Sequence, residues 1–134
     1  MSACAKSAPR SLAQLYDRYV DAWAARDPDA IVALHAEETT FWLHHGRPAI
    51  TGRTALRETF AGMFAALPDF GFEVHRTEFG PRHWVLDWTL TCTAPSGRPA
   101  GWDCLDLVTV TADWKVARKD TFVDGVQFDA ALSA

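Results

Sequence analysis

Two aspartates stand where a strand pattern should have avoided them. In the stretch Trp102 to Asp124, WDCLDLVTVTADWKVARKDTFVD, Asp106 lies between Leu105 and Leu107, and Asp120 lies close to Phe122. A carboxyl group in an apolar pocket, or beside a second carboxylate, has its pKa raised. That prepares it to transfer a proton near neutral pH. Isomerisation, aldol cyclisation and dehydration all need such a group together with a hydrogen-bond donor for a developing oxyanion. His45 is a second titratable candidate, because imidazole is the side chain that changes charge near neutrality without perturbation.

The stretch reads as two β-branched runs, Cys104 to Thr111 and Lys115 to Val123, joined by a short polar turn. That is a hairpin pattern. Strand side chains alternate between faces, so Asp106 shares its face with Cys104, Val108 and Val110, and Asp120 shares its face with Val116, Arg118 and Phe122. A three-residue loop of Ala112, Asp113 and Trp114 sets the two acids opposite each other, with Cβ atoms about 4.5–5.5 Å apart. A two-residue loop pairs Asp106 with Lys119 instead and sends the acids to opposite faces. A purely structural reading has Asp106 paired diagonally with Arg118, holding register and nothing more.

Ahead of this hairpin, Leu12, Leu15, Tyr16, Tyr19, Val20 and Trp23 recur at helical spacing and predict a helix from about Ser11 to Ala25. Asp27-Pro28 supplies an N-cap and a first-turn proline for a second helix through Ile31 and Leu34, ending at His35 as a core histidine. Thr39 to Leu43 is a short strand, followed by a loop through His44 and His45. Gly52 opens a third helix, with Leu56, Phe60, Met63, Phe64 and Leu67 along one stripe and Pro68 after it. Phe70 to Val74 and Trp84 to Cys92 then alternate, with Gly80-Pro81 and Pro95-Ser96-Gly97 marking turns. Helices gathered first and an antiparallel meander after them indicate an α+β fold, helices on one face of a curved sheet. The expected organisation is a tail over residues 1–10 and a single domain over residues 11–134.

At 134 residues, 49% hydrophobic and 22% charged, the chain has the size and composition of one globular domain. Six tryptophans and eight phenylalanines suit a deep cavity as well as a core. A net charge of −4 without a basic run argues against nucleic acid. Cys4, Cys92 and Cys104 are odd in number and lack metal-type spacing. Adjacent His44 and His45 do not supply an HxH or HxxxH pair, so no metal is expected. The N-terminus has no long apolar core of a secretory signal, and no segment approaches 18 apolar residues. The expectation is a reduced, cytoplasmic protein without membrane contact.

In this order of elements the sequence resembles the nuclear transport factor 2-like superfamily, which includes the ketosteroid isomerases and the SnoaL-like polyketide cyclases. Arg18 to Phe41 (RYVDAWAARDPDAIVALHAEETTF), Ile50 to Phe60 (ITGRTALRETF) and Lys115 to Asp124 (KVARKDTFVD) carry the resemblance. It implies a cone of three helices closed over a strongly curved, mostly antiparallel sheet, one deep apolar pocket, and a homodimer formed through the sheet. By position, the ketosteroid isomerase tyrosine matches Tyr19 and its neutral donor aspartate matches Asp106. The position of its general base is occupied by Leu43. His45 and Asp120 are the substitutes, since cyclases and epoxide hydrolases of the superfamily carry a working carboxylate on the last strand. Trp88, Leu90, Trp102, Phe60, Met63 and Leu43 are expected as pocket wall. The implied function is cofactor-independent acid/base catalysis on an apolar, carbonyl-containing or polyketide-like molecule. The alternative is a non-catalytic binding or scaffold protein of the same fold.

Overall fold

Ser11 starts the first helix by accepting a hydrogen bond from Gln14 N at 3.1 Å, as an N-cap serine does. Helix α1 (Leu12–Ala24) buries Leu15, Tyr19, Ala22 and Trp23 along one stripe and stops at Arg26, whose φ of 52° lies in the left-handed region. Asp27 caps α2 (Pro28–Ala33) through Ala30 N, with Pro28 in the first turn. The computed structural model describes residues 7–133. Residues 1–6 of the expected tail, Cys4 among them, lie outside the described residues.

The remaining elements are β1 (His35–His44), β2 (Ile50–Thr51), α3 (Arg53–Ala66), β3 (Gly71–Phe79), β4 (His83–Thr93), β5 (Pro99–Val110), β6 (Val116–Val123) and α4 (Gly125–Ser133). The six strands form one open sheet in the order β2-β1-β6-β5-β4-β3, antiparallel throughout except for the β1–β6 pair. The α+β class and the largely antiparallel sheet are as expected. Alternation on β4 turns Trp84, Leu86, Trp88, Leu90 and Cys92 inward, and on β5 it turns Trp102, Cys104, Asp106, Val108 and Val110 inward. These meet Leu15, Tyr19 and Trp23 of α1 and Leu56 and Phe60 of α3 in one core.

Three elements differ from the sequence reading. His35 opens β1 rather than ending α2, because β6 comes alongside in parallel: Leu34 O accepts from Val116 N at 2.8 Å, a partner 82 positions away that no local window contains. Gly52 is followed by α3 as expected, but the pair Ile50–Thr51 ahead of it adds a short edge strand on Thr40 and Phe41. Helix α4 is absent from the sequence reading. Its signal was present, since Asp124 accepts from Gln127 N at 3.0 Å, the aspartate and glutamine of a capping-box spacing.

The β5–β6 turn decides which face each acid takes. Thr111 N donates to Lys115 O at 2.8 Å, and Trp114 has φ 61°. This is the three-residue loop, closed by a residue in the left-handed region. It sets Val110 opposite Val116, but the next pair is Thr109 with Arg118, leaving Ala117 without a partner. This β-bulge shifts the register by one residue. Asp106 consequently pairs with Thr121, and Asp120 pairs with Leu107. The expected facing of Asp106 and Asp120 is therefore corrected.

Candidate active site

The inward face of the sheet and α1, α3 and α4 enclose a cavity of about 390 Å³. Its wall is almost entirely apolar and aromatic. Trp88, Leu90, Trp102, Met63 and Leu43, all expected as wall, line it. Phe60 does not: it is fully buried behind the wall, packed on Trp23 with ring centres 4.8 Å apart and on Phe41 at 5.2 Å. Its place on the α3 stripe takes it into the helix–sheet seam. The polar part of the wall is small and includes Tyr19, Asp106, Lys119 and Thr121, with Arg47 and Thr59 elsewhere on the lining.

Asp106 and Lys119 form a buried ion pair. Lys119 Nζ lies 3.2 Å from Asp106 Oδ2, and the two residues are only 6% and 2% exposed, lysine first. Asp106 Oδ1 accepts from Thr121 Oγ1 at 2.8 Å. The ammonium also sits over two aromatic faces, 4.4 Å from the Trp23 ring centre and 5.2 Å from that of Tyr19, where a ring quadrupole attracts a cation. Burial by itself pulls the Lys119 pKa down, but the Asp106 charge and then Tyr19 outweigh it and hold it above the ordinary lysine value. Lys119 is thus a charged donor at neutral pH.

The sequence reading named Lys119 as the residue opposite Asp106 in a two-residue turn, not as a site residue. The signal was Arg118-Lys119-Asp120: three consecutive charges on one strand cannot all face solvent, since alternation must turn at least one inward. Which one turns inward depended on the bulge at Ala117.

Tyr19 is fully enclosed, and its hydroxyl lies 2.8 Å from His35 Nε2. His35 Nδ1 is 2.7 Å from Thr39 Oγ1, which donates to Val116 O at 3.2 Å. Burial foremost raises the Tyr19 pKa. Burial first, then the Lys119 and Arg53 charges, push His35 down to about 3, so its ring is neutral at neutral pH. Cys104, next to Asp106 on the same face, is driven up to about 12 by burial and the Asp106 charge, which leaves no thiolate for nucleophilic attack.

The two remaining candidates lie elsewhere. Asp120 occupies the outer face of the sheet, where Arg118 Nε reaches Oδ2 at 2.7 Å, Arg118 Nη2 reaches Oδ1 at 3.0 Å, and His44 Nε2 reaches Oδ1 at 2.7 Å. The Arg118 hydrogen bond foremost, with His44 after it, lowers the Asp120 pKa. The carboxylate faces away from the cavity, out of reach of anything bound there. Its placement as a pocket acid is corrected, and the bulge is the cause. His45 lies just past the end of β1, with Nε2 2.8 Å from Asp129 Oδ1 and its ring against Phe128. It is absent from the cavity wall because the chain turns at the end of β1, where alternation no longer governs direction.

Asp120→Asn should therefore lower stability without touching cavity chemistry. Arg118 is partly exposed, so the charge-assisted bonds are discounted to a loss of about 1–2 kcal/mol at pH 7. A carboxylate with a depressed folded pKa stabilises above its unfolded value and loses that contribution as pH falls through the folded one. Thermal melts of parent and variant should differ at pH 7 and converge in strong acid. Equal melting at pH 7 would count against the outer ion pair.

Among the described residues, no group of three or more His, Cys, Asp or Glu side chains is placed to hold a metal ion, and no helix is long and apolar enough to cross a membrane. The family model of the SnoaL-like domain matches residues 16–119. No curated protein is significantly similar in sequence. Among solved structures, a Jannaschia sp. CCS1 protein assigned to the SnoaL-like polyketide cyclases superposes with a TM-score of 0.80 at 20% identity, covering 99% of each chain. SalBIII, an epoxide hydrolase/cyclase-like enzyme with a role in pyran ring formation in the polyether salinomycin, gives 0.76 at 20% identity over 87% of this chain and 92% of its own. TerC, co-crystallised with polyporic acid, gives 0.81 at 16% identity over 92% and 98%.

Proposed function

The chain belongs to the SnoaL-like domain family, and from that premise we propose that it is a cofactor-independent acid/base catalyst acting on an apolar carbonyl compound held in the cavity. The observation that carries this reading is the Asp106–Lys119 pair, buried in a largely apolar wall. Asp106 is the base: it takes the proton from the carbon next to the substrate carbonyl, the C–H electrons form the enolate C=C bond, and the carbonyl oxygen becomes negative. Lys119 is the electrophile that receives this oxygen. Negative charge then moves from Asp106 to the substrate while the ammonium stays beside both, so the step separates no charge. An ammonium in a water-poor cavity is worth far more to an oxyanion than one in water. Isomerisation, cyclisation and dehydration share this first step.

Tyr19 and Asp106 were expected as oxyanion donors, and here Lys119 takes that part. Asp106, facing a cation, offers lone pairs and not an acid proton.

Exchange of α-protons in heavy water tests the proposal with simple ketones in place of the natural substrate. With α-tetralone and β-tetralone as probes, the protein should accelerate deuterium uptake over buffer, and the tryptophans of the wall should report occupancy by quenching. Quenching with no exchange above buffer would instead support the alternative, a binding protein of the same fold.

The partner we propose is a second copy of the chain, docked through the outer face of the sheet. Leu105, Leu107 and Phe122, on adjacent strands of that face, are 42%, 37% and 44% exposed, an apolar cluster that a second copy would cover. Light scattering at micromolar concentration should give a dimer, and Phe122→Lys a monomer. A monomeric parent would remove this proposal.

A further inference from the structure

The hydrogen-bond chain behind Tyr19 has only one direction. A carbonyl oxygen only accepts, so the single hydroxyl proton of Thr39 is committed to Val116 O. Thr39 Oγ1 can then only accept from His35, which puts the imidazole proton on Nδ1. In a neutral ring the other nitrogen, Nε2, carries a lone pair, so the bond at 2.8 Å must be donated by the Tyr19 hydroxyl. His35 is fully buried and faces two cations, Lys119 and Arg53, which keep the ring neutral. Arg53 further holds the His35 backbone, its Nε and Nη2 donating to His35 O at 2.9 and 2.7 Å. The only proton Tyr19 has thus points away from the cavity. The Lys119 ammonium lies over the face of the Tyr19 ring, 5.2 Å from its centre, and among the described residues His35 is the one hydrogen-bond partner of the hydroxyl, so the lone pairs of the oxygen have no donor from the protein.

We propose that His35 and Thr39 are positioning residues that fix the polarity of the Tyr19 hydroxyl, so that Tyr19 accepts a hydrogen bond from the substrate, and that the substrate is therefore a hydroxylated carbonyl compound. Its carbonyl oxygen accepts from Lys119, and a hydroxyl or enol close to that carbonyl donates to Tyr19. A plain ketone satisfies Lys119 but leaves Tyr19 without a donor, and a buried acceptor left unmatched weakens binding. This assignment of substrate class rests on the reading of the cavity as the substrate site; the polarity of Tyr19 does not.

Two measurements separate the parts. ¹⁵N correlation spectra of the histidine side chains, recorded on the intact protein without ligand, should show His35 with a protonated Nδ1 and a bare Nε2. A protonated Nε2 overturns the proposal whatever the cavity binds. Tryptophan quenching then compares α-tetralone with its α-hydroxylated analogue. The parent should prefer the hydroxylated probe by roughly threefold to tenfold, the worth of one net hydrogen bond. Thr39→Val, which removes the acceptor that holds the tautomer, should lose the preference, and Thr39→Ser should keep it. A parent that prefers the plain ketone overturns the substrate class, with the cavity still a binding site. A parent that binds neither probe overturns the substrate class together with the cavity reading, and the tautomer spectrum still decides the polarity of Tyr19.

Discussion

Asp106→Asn should slow α-proton exchange of a bound ketone by about 10²–10⁴-fold, the usual contribution of one positioned proton carrier. The amide keeps the size and shape of the carboxylate, and with its oxygen toward Lys119 its nitrogen donates to the Thr121 hydroxyl, so the variant, though less stable for the loss of the counter-charge of Lys119, should still bind the probe with quenching of the wall tryptophans. What is lost is a basic lone pair: the amide nitrogen's electrons are delocalised and take no proton near neutral pH. The loss should fall on kcat and leave the ketone's dissociation constant nearly unchanged, which marks an interaction made at the chemical step. A folded Asn variant that binds the probe and exchanges its protons at close to the parent rate would overturn Asp106 as the base.

Lys119→Met should cost about 3–5 kcal/mol of stability, because it leaves the Asp106 carboxylate buried without its counter-charge. For a chain of this size that is a melting temperature lower by about 10–20 °C. Replacing both partners, Lys119→Met with Asp106→Leu, removes the charge problem and should restore most of the loss, since a buried ion pair is commonly matched by apolar residues of similar volume. The pH profile carries a second sign. Lys119 has its folded pKa raised, so its stabilisation is complete below the unfolded value of about 10.4 and is lost as pH rises through the folded one. The parent should weaken in strong alkali through this group, and the double variant should lack that component. A single variant as stable as the parent would mean that the two charges are not paired in solution. A double variant that stays folded yet performs no exchange would place the pair in the chemistry and not in the scaffold.

Much of the fold follows from local rules that the sequence states openly. Ser11 and Asp27 have the side chains that cap helices, and the spacing of Leu15, Tyr19, Ala22 and Trp23 puts one apolar stripe on α1. Strict alternation from Trp84 to Cys92 and from Trp102 to Val110 separates the inward face from the outward one. These patterns have periods of about four and two residues, and a short window contains them whole. Alternation from Cys104 to Val110 therefore assigns Asp106 its buried face, and the stripe on α1 assigns Tyr19 its buried side, with no tertiary contact needed for either.

What the windows could not contain was decided by how strands pair. One unpaired residue, Ala117, carries Asp120 to the outer face and brings Lys119 and Thr121 to Asp106. A bulge is a property of two strands in register, and neither strand's own pattern states where the pairing slips. His35 passes from the end of a helix to the start of a strand because β6 lies beside it in parallel, and only there can Thr39 and Tyr19 reach its two nitrogens. The sequence by itself determined that a carboxyl group and a tyrosine would be buried. Which charge meets that carboxyl group was decided by the bulge in the β5–β6 pairing, and which way the tyrosine's proton points by the register of β1 on β6, strands more than 70 residues apart, where each side chain's neighbours are chosen by pairing and not by proximity along the chain.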